Sequence, residues 1–239
     1  MAESGGGRMY PEQTMTMPVS ALDTDRRATF LTRTYTHLLG AIFGFTAIEA
    51  FLFSSGLAEP IARAMLGVNW LFVLGAFMLV SWLASRAAMG VSSLGSQYLG
   101  LAAFVAAEAF IFVPLLYVAN AYAPGAIQSA ALVTVMGFVG LTAVAFSTRK
   151  DFSFLGATLR WLATMAIVLI VASVLFGFEL GTWFSVAMVA FAGAAVLYDT
   201  SNVLHHFPED RYVGAAMQLF ASIALMFWYV LRIFLGSRR

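Results

Sequence analysis

From Thr34 onward the chain is a succession of long apolar runs broken by short polar punctuation. A hydrocarbon core of about 30 Å is crossed by roughly 20 helical residues, and the runs have that length. They predict spans at 38–57, between Arg63 and Arg86, at 98–120, 127–146, 161–178 and 183–203, and from Arg211 to the C-terminus. Pro124-Gly125 marks a turn between the third and fourth. None of the runs alternates apolar and polar at every second residue, which speaks against a β-barrel. The expected fold is all-α: a polytopic membrane protein with seven transmembrane helices in a single bundle (34–239), preceded by a polar, disordered N-terminal tail (1–33).

Composition sharpens this picture. The chain of 239 residues is 61% hydrophobic and only 10% charged, whereas soluble domains carry about 25% charged residues. The mean hydropathy is +0.86. Too little polar side chain exists to cover a soluble globule, which excludes a soluble enzyme, a disordered protein and a nucleic-acid binder and leaves the lipid bilayer as the solvent. The absence of Cys removes disulfides, thiolate metal sites and thiol nucleophiles. Neither a cofactor nor a metal is expected.

Lys and Arg set the orientation. A cytoplasmic N-terminus places Arg8, Arg26, Arg27, Arg33, Arg86, Arg149, Lys150, Arg160 and Arg211 inside, against Arg63, Arg232, Arg238 and Arg239 outside. This favours the N-terminus in and the C-terminus out. Gly40 and Gly44 form a small-xxx-small pair in the first span, and Ala192 to Ala195 let the sixth approach a neighbour closely. Pro114 is expected to kink the third span.

An ionised side chain at the centre of a membrane helix costs roughly 2.5–3.5 kcal/mol on insertion scales, so each one is a candidate for function. Glu49 and Glu108 fall near mid-membrane, Asp199 near the inner end of span six, Arg86 at the inner end of span two and Arg232 near the outer end of span seven. Topology alone permits an Asp199–Arg86 ion pair. Each has a plainer reading as well. Arg86 and Arg232 fit interfacial anchors, and Asp199 fits a solvated helix end. Glu49 and Glu108 must be protonated, paired or wet. His205 and His206 lie in the last inner loop, as metal ligands or as solvated loop residues.

Enzymatic readings fail on specifics. The single Lys, Lys150, lies in a loop, so no Schiff base forms in the bundle. A second intramembrane Asp for aspartyl proteolysis is missing, as is a His within a span for a serine nucleophile. No His-Glu-x-x-His zinc motif occurs.

Three stretches, in this order, resemble the Bax inhibitor-1 family: Ala145-Phe-Ser-Thr-Arg-Lys-Asp-Phe-Ser-Phe-Leu-Gly156, Val196-Leu-Tyr-Asp-Thr-Ser201, and the final helix ending Leu231-Arg-Ile-Phe-Leu-Gly236. The resemblance covers residues 34–239. It implies a seven-helix fold with a central helix, and a proton-sensitive leak of cations, chiefly Ca²⁺. It also implies that Asp199 is the first member of an acidic sensor pair, and that Arg86 is an arginine latch upon it. The second acid of the pair aligns with Ser222, so this chain is similar to a bacterial branch that lacks it and that is linked to modulation of a membrane-bound AAA protease. Without an acidic twin the shared titration of the pair is lost.

Two functions are therefore expected, neither enzymatic. One is an inner-membrane protein that permits or regulates Ca²⁺ or H⁺ leak, with Asp199 gated by Arg86 and with Ser222, Glu49, Glu108 and Arg232 along the gate or ion pathway. The other is a non-conducting partner that binds and modulates a membrane-bound AAA protease.

Overall fold

A computed structural model describes residues 17–90, 93–148 and 150–236. Eight α-helices follow a short 3-10 turn at Val19–Ala21: α1 (Thr24–Ser54), α2 (Ala58–Leu66), α3 (Trp70–Met89), α4 (Leu94–Tyr122), α5 (Ala126–Thr148), α6 (Leu155–Phe176), α7 (Gly181–His205) and α8 (Tyr212–Gly236). All but α2 are long and apolar enough to cross a membrane, so the protein is the all-α polytopic membrane bundle its hydropathy predicts. Successive spans run in opposite directions. The first turns of α1, α4, α6 and α8 and the last turns of α3, α5 and α7 thus share one end of the bundle, the proximal end.

Helix boundaries follow local chemistry more than hydropathy. Asp23 accepts a hydrogen bond from the Arg26 amide and caps α1, satisfying one of its free N–H groups. The helix therefore starts well before the apolar run, and the expected domain boundary at 33/34 falls inside it. At about 1.5 Å per residue its 31 residues exceed the bilayer core, so the segment bearing Arg26, Arg27 and Arg33 projects at the proximal end. Residues 17–23 precede it and make contacts with the last proximal loop. Pro18 forms an isolated antiparallel bridge with Pro208, the Val19 amide donates to the Phe207 carbonyl at 2.9 Å, and Val19 is fully buried. Arg26 pairs with Glu209. The rest of the expected tail, with Met9 and Met15, lies outside the described residues.

Helix α2 interrupts the stretch that the hydropathy assigns to the first and second spans. Ala58 and Ala62 pack on Leu52 of α1 and Val113 of α4, while Glu59 and Arg63 form an exposed i,i+4 ion pair of 2.5 Å. The second span then starts at Trp70, behind the Asn69 cap.

The last helix occupies the middle. α8 packs against α1, α3, α4, α5 and α7, and the two largest apolar clusters both draw on it. Small residues bring its neighbours in. A Cβ on Gly214 would lie 2.6 Å from Met89 Sδ, and one on Gly100 would lie 2.6 Å from the Ala84 carbonyl oxygen, so α3 meets α4 and α8 nearly backbone to backbone. Gly193 of α7 faces Leu141 of α5 as its sequence suggests. Of the expected glycine pair in α1, only Gly44 faces a neighbour, Val105, while Gly40 is exposed. Helix α4 runs through Pro114 without a break.

Candidate functional site

The buried acid of α7 meets α8 in antiparallel register. Asp199 is 5% exposed. Gln218 and Ser222 stand four residues apart on α8 and thus on one face of that helix. Gln218 Nε2 donates to Asp199 Oδ1 at 2.6 Å, and Ser222 Oγ donates to Oδ2. Each carboxylate oxygen therefore has one neutral donor, which compensates a buried acid in part and supplies no positive charge. Helix α7 continues to His205, so Asp199 lies about 9 Å inside its end and not in its last turn as its sequence position suggests.

Arg86 does not hold Asp199. Its guanidinium covers the Trp82 ring, 4.7 Å from the centroid, and no ion pair joins it to Asp199 among the described residues. The reason is rotational. Ala84 and Ala88 are the face of α3 that packs inward, Ala84 against Gly100 and Ala88 against Gly100 and Gly214. Arg86, two residues from each, points to the opposite, exposed side. The expected latch is thus corrected: the arginine is at the right end of the bundle but on the wrong face of its helix.

Arg232 is half-buried at the far end of α8, with its guanidinium 5.9 Å from the Tyr229 ring centroid. Glu49 and Glu108 are both buried, on α1 and α4. They do not join Asp199.

Beside the Asp199 site two of the three sequence motifs fold into one object. Ser201 Oγ, two residues past the acid, accepts the Phe152 amide at 2.8 Å and donates to Asp151 Oδ1 at 3.3 Å. Asp151 Oδ1 also accepts the Ser153 amide at 2.9 Å, and His206 Nε2 lies 2.9 Å from Asp151 Oδ2. The Ser153 amide, helped by His206, pulls the Asp151 carboxyl down to about 2. A Cβ on Gly156 would lie 2.8 Å from the Tyr198 ring, so only glycine admits that tyrosine beside the first turn of α6. The loop after α5 is thereby clamped onto the end of α7. His206, considered above as a metal ligand, is engaged by Asp151 instead. Gln218 and the Asp151–Ser201 link escape a reading of the sequence, because each residue alone is an ordinary polar side chain. The close spacing of Asp151 to Gly156 was the available signal for the second.

Comparison with known proteins gives the same assignment. The family model described as "Inhibitor of apoptosis-promoting Bax1" matches residues 27–239. An uncharacterised protein of Pseudomonas aeruginosa is 34% identical over 45% of this chain and 49% of its own length. A BI1-like protein of Arabidopsis thaliana is 37% identical over 48% of each chain. The Escherichia coli protein YccA, described as a modulator of FtsH protease, is 31% identical over 42% of this chain and 46% of its own. The chain spans about half the length of these curated relatives. With the family model covering residues 27–239, the chain belongs to the Bax inhibitor-1 family.

Proposed function

We propose that this protein sits in a bacterial inner membrane, N-terminus in the cytoplasm, and permits or regulates the movement of cations such as Ca²⁺ or H⁺, with Asp199 as the switch group. The observation that carries this reading is a buried carboxylate whose partners, Gln218 and Ser222, are both neutral. A cation that reaches Asp199 gains a full charge interaction without displacing a resident arginine. Seating between α7 and the central helix couples that event to the packing of the whole bundle. Positive residues at the proximal end, Arg26, Arg27, Arg33, Arg86, Lys150, Arg160 and Arg211, outnumber Arg63 and Arg232 at the other, which supports the orientation. The test is ion flux into liposomes holding the purified protein. Asp199→Asn is expected to change Ca²⁺ or H⁺ flux. Identical flux from the two proteins, both folded, removes the switch.

A second reading is favoured by the YccA relative, named as an FtsH modulator and as an inner membrane protein. Here the chain conducts nothing and restrains a membrane-bound AAA protease. The polar segment before α1, with the first turn of that helix, is its natural contact, since Pro18, Val19 and Arg26 meet the proximal loop at Phe207 to Glu209. Mild-detergent pull-down of the full chain should recover the protease, and removal of residues 1–22 should lose it. Recovery of no protease by the full chain rejects this reading.

A further inference from the structure

We propose that the crevice between α1 and α4 at the proximal end binds an anionic phospholipid, with the lipid phosphate on Arg33 and an acyl chain in the hollow at Gly40. The head of this site is a cluster of four side chains from three helices. Arg33 of α1 lies over the ring of Tyr212, the first residue of α8, with its guanidinium carbon 5.4 Å from the centroid. The His37 ring packs on the same tyrosine at 5.2 Å. His37 Nδ1 lies 2.7 Å from the Arg33 carbonyl oxygen, and Nε2 lies 2.9 Å from the Tyr98 hydroxyl of α4. A carbonyl only accepts, so Nδ1 carries the hydrogen, and in the neutral ring Nε2 accepts from Tyr98. Both ring nitrogens are thus spent on joining α1 to α4, and the buried Tyr212 ring gives Arg33 a fixed platform. A guanidinium stacked on an aromatic face keeps its N–H edge free for the bidentate contact that phosphate oxygens offer.

The charge on this face is uncompensated. Arg33 is exposed and has no acidic partner among the described residues. Other cations of the proximal end are engaged: Arg26 with Glu209, Arg27 with the Leu204 carbonyl and Arg211 with Asp210. The nearest acid along α1, Asp25, stands eight residues before Arg33, about 12 Å along the axis. On α4 the acid is Glu108, which is buried and about 15 Å beyond Tyr98. The complement of such a face is an anion.

Behind the cluster lies a place for hydrocarbon. Arg33, His37, Gly40 and Gly44 follow one another at intervals of four, three and four residues and so form one stripe of α1. α1 and α4 run in the same direction and keep one register, since His37 meets Tyr98 and Gly44 meets Val105, each 61 residues on. Between these two contacts the stripe is open. A Cβ on Gly40 would have nothing within 4 Å, whereas one on Gly44 would lie 3.6 Å from Val105. The exposed residue of α4 at that level is Ala102, a single methyl group, and Leu39 and Phe43 stand exposed beside the hollow on α1. Gly40 is about 4.5 Å deeper than His37 and about 10 Å deeper than Arg33. A cation at the bundle's end with an apolar hollow two turns further in follows the order of a phospholipid, charged head first and chain behind. That order selects a lipid over a soluble anion.

The site is independent of Asp199, and its test measures binding in detergent with no flux involved. Thermal unfolding of the full chain is followed in mixed micelles containing phosphatidylglycerol or phosphatidylethanolamine, and in lipid-free micelles with inorganic phosphate, all at one ionic strength. Phosphatidylglycerol is expected to raise the wild-type midpoint above that in phosphatidylethanolamine, since a ligand that binds only the folded state stabilises it. That rise is lost in Arg33→Ala and kept in Arg86→Ala, which removes an exposed proximal cation from another face. Gly40→Leu fills the hollow with the Arg33 cluster in place, in a position where the new side chain meets no neighbour, and loses the rise as well. It keeps the test decisive should Arg33→Ala not fold. An equal midpoint in the two lipids overturns the site, as does survival of the rise in either folded variant or an equal loss in Arg86→Ala. A matching rise with inorganic phosphate overturns the lipid as occupant.

Discussion

Ser222 donates its hydroxyl hydrogen bond to Asp199 from the place where the family resemblance calls for a second acid. Serine keeps the contact between α7 and α8 and removes the possibility of a shared proton, because a hydroxyl donates where a second carboxylate repels. Gln218, one turn earlier on α8, completes the set of donors.

That arrangement gives Ser222 a structural role. Ser222→Ala leaves one buried carboxylate oxygen without a donor and is expected to cost about 1–3 kcal/mol, read as a lower unfolding midpoint in detergent. Arg86→Ala should leave the midpoint and any ion flux close to wild type, because Arg86 stands on the exposed face of α3. A large effect of Arg86→Ala on flux would mean that α3 rotates in the working protein.

The loop clamp at Asp151 predicts a pH dependence with a definite sign. Its carboxyl is held at about 2, below the ordinary 3.8. Stabilisation from a lowered carboxyl is present above the unfolded value and is lost as pH falls through the folded one. The wild type should therefore lose stability between about pH 4 and pH 2. Asp151→Asn should be less stable than wild type above that window and show a smaller loss within it. The side chain is half exposed, so solvent screens the effect and it stays modest. Unfolding midpoints measured across the acid range for the two proteins decide the matter.

The glycines of the bundle should separate into two classes. Gly100→Ala drives a methyl group to 2.6 Å from a backbone oxygen of α3. Overpacking of this kind costs about 1–3 kcal/mol, and the variant should unfold at lower temperature. Gly40→Ala, with nothing within 4 Å of the new atom, should be neutral or slightly stabilising, since alanine is the better helix former. Equal effects at the two positions would contradict the close α3–α4 approach.

Hydropathy was enough for the number of spans and for the membrane as solvent, because transfer free energy sums along a helix whichever way that helix is turned. The motifs around Asp151 and Asp199 were legible as well, since each carries its chemistry within a few adjacent residues. Helix starts were less so. A capping carboxylate such as Asp23, or a nine-residue helix such as α2, leaves little mark on an average over twenty residues.

The partners of each intramembrane charge were decided by tertiary structure alone. Length and hydropathy put Arg86 and Asp199 toward the same end of the bundle, and their charges suggested a pair. Whether they meet depends on the rotation of α3, and that rotation is set by Ala84, Ala88, Gly100 and Gly214 packing close together. In the same way Glu49 and Glu108 could each be read as an isolated acid. The packing of α1 and α4 in the bundle buries both of them, and neither is bonded to Asp199 among the described residues. Depth is a property of one helix and can be counted along it. Facing is a property of three helices packed together, and no single run of residues contains it.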